Sequence, residues 1–124
     1  MSNYQCYNDK IIHFKEGLFD KFVDCTYVLL LEGTNRERDI YKRIHQLKPT
    51  KKVVIQYNRG FKKCDKKLTK YKTNYDLCDA NINVFYKSNN YNNILVLEDD
   101  FLFDDRVFNK NIIKDLEHFF KTTT

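Results

Sequence analysis

The chain has no Trp, one Met, one Pro and three Gly in 124 residues. So little punctuation speaks against a chain cut into short turns and favours long elements joined by short polar loops. No linker divides it and no internal repeat is visible, so one domain is expected. No apolar run approaches the roughly 20 residues needed to cross a bilayer. The opening MSNYQCYNDK has no apolar core for a signal peptide, so a soluble cytoplasmic protein is expected. Cys6, Cys25, Cys64 and Cys78 form no CxxC pair and no Cys/His ligand spacing, which removes a sequence-legible zinc site. They are expected to be reduced thiols. His13, His45 and His118 are scattered, and His45 reads as a surface residue of a helix.

What is present is ordinary for a globular domain. Hydrophobic residues make up 42%, and the aromatic 15% is all Phe and Tyr, so disorder is not the default. Abundant Asn, Lys, Ile, Tyr and Phe fit an AT-rich coding sequence, from a virus or an AT-rich microbe. Twenty-two Lys and Arg against 17 Asp and Glu give a formal charge of +5. Much of the excess lies between Arg59 and Lys72, where Lys62, Lys63, Lys66, Lys67 and Lys70 join them against Asp65 alone. Nucleic-acid binding, a phosphorylated ligand and a solvated loop are all readings of this run. Its charges do not fall on one helical face and no reader motif accompanies them, so a mobile loop without specific nucleic-acid binding is expected.

Along the chain, Ile11 to Asp24 reads as a short amphipathic helix or an irregular lead-in, with Ile12, Leu18, Phe19 and Phe22 inward. Thr26 to Leu31 is a buried strand ending at Glu32-Gly33. Thr34 with Glu37 forms a capping box, and Ile40, Tyr41, Ile44 and Leu47 mark one face of a helix stopped by Pro49. Lys52 to Tyr57 is a second strand. A short helical piece is expected near Lys63 to Tyr71. Thr73 and Asp76 can cap a helix from Tyr75 to about Ser88, with Leu77, Ala80, Val84 and Phe85 inward. Ile94 to Leu97 is the third strand. Asp104 or Asp105 caps a last helix carrying Phe108, Ile112, Leu116 and Phe119, and the KTTT tail frays. Strand–helix alternation with short apolar strands implies a mainly parallel sheet covered on both faces, a Rossmann-like three-layer α/β sandwich. Three loops then converge at the strand carboxyl ends: Glu32-Gly33-Thr34-Asn35-Arg36, Gln56-Tyr57-Asn58-Arg59 and Glu98-Asp99-Asp100. Gly33 before a helix start leaves room for a phosphate, although one Gly is no phosphate-binding fingerprint.

The most informative segment is NNILVLEDDFLFDD, Asn92 to Asp105. Glu98, Asp99 and Asp100 sit between the apolar runs Ile94–Leu97 and Phe101–Phe103. Three adjacent carboxylates repel one another, and flanks that return to the core keep them from drifting into solvent. A divalent cation at the mouth of the sheet would offset that repulsion. The competing reading is a plain acidic strand end.

This segment, with Tyr27-Val-Leu-Leu-Leu-Glu32 followed by Arg36-Glu37-Arg38, and Asp76-Leu-Cys-Asp-Ala80 leading to Tyr86, resembles the GT-A glycosyltransferases. The nearest type is family 25, the lipopolysaccharide and procollagen galactosyltransferase-like proteins, including giant-virus members. The likeness runs from Thr26 to about Val107, and Ile94–Phe103 is similar to that family's variant of the DXD motif. It implies the N-terminal nucleotide-binding half of a GT-A fold: a lead-in over 1–25, a nucleotide-sugar core over 26–107, and a terminal helix and tail over 108–124. It also implies a nucleotide-sugar donor, a UDP-sugar above all, with Mn²⁺ or Mg²⁺ held by Asp100 and Glu98, and a glycan or protein acceptor. The alternative place for Glu98 is against the donor's ribose or sugar. Glu32, Gly33, Thr34, Arg36, Tyr57, Asn58, Arg59 and Asp99 would hold the nucleotide, with Asp76 helping. If the source is viral, the host cytoplasm is the implied location.

Family members continue beyond the acidic motif with an acceptor half, whereas this sequence ends about one helix later. Donor binding with little transfer is therefore expected, along with an exposed sheet edge that invites a second copy. The alternatives are a non-catalytic binding or assembly module, a Mg²⁺-dependent phosphoryl-transfer domain and a nucleic-acid-binding domain.

Overall fold

The structure, a computed structural model, describes residues 6–122. Met1 to Gln5, Thr123 and Thr124, on which part of the signal-peptide and fraying expectations falls, lie outside the described residues; Lys121 and Thr122, expected to fray, are helical. In chain order the elements are β1 (Tyr7–His13), β2 (Cys25–Leu31), α1 (Glu37–Leu47), β3 (Lys52–Asn58), α2 (Thr73–Lys87), β4 (Ile94–Glu98), a 3₁₀ turn (Asp105–Phe108) and α3 (Lys110–Thr122). Four strands form one open sheet in the order β1-β3-β2-β4. β2 pairs in parallel with both β3 and β4, and β1 runs antiparallel along β3. The fold is mixed α/β with a mostly parallel sheet. Among the described residues no helix is long and apolar enough to cross a membrane.

β2 reads CTYVLLL, without a charge, and both of its faces are covered. Val28 and Leu30 pack with Val53, Ile55 and the α1 residues Ile40 and Ile44. Tyr27 and Leu29 turn the other way, to Val54 and the α2 residues Ala80 and Val84. Successive strand side chains alternate faces, so a continuous apolar run requires a helix on each side. Burying each of these aliphatic side chains contributes about 1.5–3 kcal/mol over leaving it exposed. α1 ends as its sequence indicates: Lys48 takes φ 47° and Pro49 follows.

Several expectations are corrected. β1, seven residues registered against β3 from Tyr7↔Asn58 to His13↔Lys52, runs into the Ile11 to Asp24 segment read as a helix or lead-in and takes its first three residues, Ile11 to His13. Its residues are mostly exposed, so backbone pairing and not an apolar face makes it a strand. After it, 18–22 are turns, with Leu18 and Phe19 N–H groups donating to Lys48 and Pro49 carbonyls at 2.7 and 2.8 Å. The Thr34–Glu37 capping box does not form: the Thr34 hydroxyl donates to the Leu31 carbonyl at 3.0 Å, and Arg36 occupies the N-cap. No helix forms over Lys63–Tyr71, which is turn and irregular chain. α2 buries Asp76, Ala80, Asn83 and Val84 while Leu77 and Phe85 stay exposed, because Asp76 has a buried partner and does not cap the helix.

β4 is only half buried, since among the described residues it lies at the sheet edge with β2 as its one neighbouring strand. Asp104 caps the 3₁₀ turn through Arg106 N–H, and Asn109 caps α3 through Asn111 N–H, at 2.9 and 2.8 Å. Phe108, Ile112, Leu116 and Phe119 remain exposed, while Phe120 stacks on Phe22 with ring centroids 5.0 Å apart.

The cysteines are also corrected in part. Cys6 and Cys64 form a disulfide with a Cα–Cα distance of 5.7 Å, and Cys25 and Cys78 are free. β1 pairing sets Cys6 beside β3, where its carbonyl accepts from Arg59 N–H at 3.0 Å. The turn closed by Cys64 N–H on the Gly60 carbonyl, at 3.0 Å, then folds Cys64 back onto it. No spacing rule reveals a pair brought together by an edge strand.

Candidate ligand site at the carboxyl edge

The chain leaves β2 through α1 to reach β3 on one side, then returns through α2 on the opposite face to place β4 on the other side. The two connections diverge at the carboxyl end of β2, and open α/β sheets take ligands at such a crevice. A cavity of about 170 Å³ lies there. Its floor is Leu29, Leu30, Leu31, Leu77 and Ala80, and its polar wall is Arg36, Asn58, Thr73, Asp76, Glu98 and Asp99.

At the β4 end, Arg36 donates to Asp99 at 2.6 Å, and Leu31 N–H reaches the other Asp99 oxygen at 3.4 Å. The hydrogen bond and charge of Asp99 hold the Arg36 guanidinium above its ordinary pKa. The middle carboxylate of the triplet is thus neutralised by the protein itself. Glu98 and Asp100, on either side, are exposed and carry no ion pair among the described residues. Among those residues no three Asp, Glu, His or Cys side chains gather into a metal-holding group. Two exposed hard-oxygen donors are still a compatible set for Mg²⁺ or Mn²⁺, because such ions commonly take one or two carboxylates and fill the remainder with water and phosphate oxygens.

At the β3 end lies a buried polar cluster. Lys66, 3% exposed, points its ammonium at Asp76 Oδ1 (2.5 Å), the Tyr7 hydroxyl (2.7 Å) and Asn58 Oδ1 (2.8 Å). Those three acceptors match its three N–H donors. Tyr7 in turn donates to Asp79 at 2.5 Å, Asn58 Nδ2 donates to Asp76 Oδ2 at 3.2 Å, and Gly60 N–H donates to Asn58 Oδ1 at 2.9 Å. Burial, followed by the Asp79 hydrogen bond, pushes the Tyr7 hydroxyl up so that it stays protonated. Every member is partnered, which fixes Asn58 and Asp76 at the cavity wall.

Of the residues singled out from sequence, Arg36, Asn58, Asp76, Glu98 and Asp99 meet at this cavity. Tyr57 faces α1, its hydroxyl 2.7 Å from that of Tyr41. The Thr34 hydroxyl is taken by Leu31, Glu32 N–H continues the β3 ladder on Asn58 O at 2.8 Å, and Arg59 and Asp100 lie outside the cavity lining. Gly33 has φ +80°, and the Lys63 ammonium lies 3.2 Å from where a Cβ would stand, so this basic-segment side chain reaches the β2–α1 loop. Lys66 was missed. The available signal was Asp76 and Asp79, three apart on one helix, since two acids turned toward a core require a cation.

Comparison of the chain with protein-family models, curated proteins and solved structures finds no match.

Proposed function

We propose that the carboxyl-edge cavity binds a nucleotide-sugar donor, a UDP-sugar in the first instance, in the manner of the GT-A glycosyltransferases that Ile94–Phe103 resembles. One observation carries this reading: a single cavity gathers Arg36, Asn58, Asp76, Glu98 and Asp99 from separate stretches of chain at the strand ends. In it, the leucine floor covers the apolar part of the ligand, and the rigid Asn58–Asp76 wall orients its hydroxyls. The Arg36 guanidinium, steadied by Asp99, turns its remaining donors to a diphosphate, whose paired oxygens suit its fork. Glu98 and Asp100 would hold Mn²⁺ or Mg²⁺. Such an ion, when bound, stabilises a departing diphosphate as a Lewis acid. The hexose would pass to a glycan or protein acceptor.

The experiment is a thermal-shift titration with UDP-sugars and GDP-sugars, with and without Mn²⁺. A metal-dependent rise with one nucleotide class supports the reading. No shift with any nucleotide-sugar or nucleoside diphosphate overturns it.

A second reading, a binding or assembly module without turnover, is favoured by the half-buried β4, whose outer edge has no neighbour among the described residues. Concentration-dependent association in analytical ultracentrifugation, with no donor hydrolysis, would favour it over the first.

A further inference from the structure

We infer that the Cys6–Cys64 disulfide is a redox-sensitive latch that holds the basic loop between β3 and α2 against the carboxyl-edge cavity. The loop, residues 59–72, has no helix or strand of its own, so its position depends on its attachments. Three are visible. Cys64 is bonded to Cys6, Lys66 is sunk beneath the cavity wall, and Lys63 reaches the loop at Gly33. Two of these tie the same two segments together: Cys6 bonds Cys64, and Tyr7, the next residue, accepts from Lys66 at 2.7 Å. Lys66 in turn holds Asn58 and Asp76, which line the cavity. The covalent bond therefore keeps the ammonium in register with the groups that fix the cavity wall. Without it, the loop loses this covalent tie at its middle, and the buried ion cluster around Lys66 is favourable only while its geometry is complete.

The two sulfurs are unequally placed. Cys6 is fully buried and Cys64 half-buried, so an incoming thiolate meets the Cys64 sulfur first. A small dithiol reductant attacks Cys64 Sγ. The S–S bond breaks, its electron pair leaves on Cys6 Sγ, and that thiolate takes a proton. The reductant's second thiolate then displaces Cys64, which is released and protonated, and the reductant departs as a cyclic disulfide. Two electrons have passed to the protein. A low-molecular-weight disulfide reverses the change and leaves as two thiols. Cys25 and Cys78 take no part.

The link to ligand binding rests on the donor reading of the cavity, whereas the movement of the loop does not. The test compares the whole chain in its oxidised form with protein reduced by dithiothreitol and blocked with iodoacetamide. Hydrogen exchange is followed by mass spectrometry, and binding of uridine diphosphate with Mn²⁺ by calorimetry. On reduction, amides of residues 59–72 should exchange about tenfold faster or more, while those of β2 and β3 change far less. Uridine diphosphate affinity should fall about fivefold or more. Cys64→Ser should copy the reduced form and Cys78→Ser the oxidised one. If Cys64→Ser does not fold, reduction of the unsubstituted protein still decides.

Equal exchange of the loop in both redox states overturns the latch. Loss of protection across β2 and β3 together with the loop also overturns it, in favour of a plain structural cross-link. Loop loosening with equal uridine diphosphate affinity overturns the link to the cavity. Loop loosening with no binding to either form supports the latch and overturns the donor reading.

Discussion

The ammonium of Lys66 lies 2.5 Å from the carboxylate of Asp76, and both are buried, at 3% and 6% exposure. A lysine from a run of cations thus forms part of the interior beneath the candidate site. Removing one partner of such a pair leaves the other charge buried and uncompensated, a cost of about 3–5 kcal/mol. Lys66→Met should destabilise the oxidised protein by that order in urea unfolding. Lys66→Met combined with Asp76→Leu should recover much of the loss. A Lys66→Met variant within about 0.5 kcal/mol of the parent would show that the ammonium does not hold this position.

Thiol labelling should separate the four cysteines. In native, unreduced protein, iodoacetamide should add once, at exposed Cys78. Cys25 is buried, and burial raises its thiol pKa, so its thiolate is both scarce and shielded. Urea without reductant should expose both free thiols, and reductant should bring Cys6 and Cys64 into the count. Labelling of all four in urea before reduction would show that the disulfide is absent.

Alkaline pH should weaken the fold. Burial is the main cause that raises the hydroxyl pKa values of Tyr7, Tyr27 and Tyr57 in the native state. A group whose native pKa is raised lends stability below its unfolded pKa, about 10 for tyrosine, and loses it as pH climbs toward the native value. Tm should therefore hold between about pH 7 and 9 and fall above about pH 10. A Tm unchanged up to about pH 11 would contradict the buried environments of these hydroxyls.

What the sequence revealed follows from what each element buries. β2 was legible because both of its faces are apolar, and α1 because Ile40, Ile44 and Leu47 recur on one side. β1 was not, because an edge strand such as YNDKIIH is held by its backbone and leaves most side chains in water. Tyr57 and Asn58 show the limit at the site: adjacent strand residues face opposite ways, so only one of the two can line a cavity on the α2 face. Sequence spacing located the strand end but not that parity. The Lys66 cluster and the disulfide escaped for a common reason, since each joins segments that meet only after β1 has paired with β3.

The acidic turn makes the sharpest test of the proposed metal site. Asp99 is paired with Arg36, so the charge left to attract a cation rests on Glu98 and Asp100. Asp100 is exposed and outside the core, so Asp100→Asn should leave the Tm of the metal-free protein unchanged or slightly raised through relief of repulsion. The same change should abolish the Mn²⁺-dependent part of any thermal shift with a UDP-sugar. Asp99→Asn should act differently: it removes the anchor of Arg36, so nucleotide affinity should fall even without metal. Calorimetry with uridine diphosphate, with and without Mn²⁺, separates the two effects. If Asp100→Asn unfolds the metal-free protein, the cluster is structural. If it keeps the full Mn²⁺ effect, the cation, where one binds, is held elsewhere.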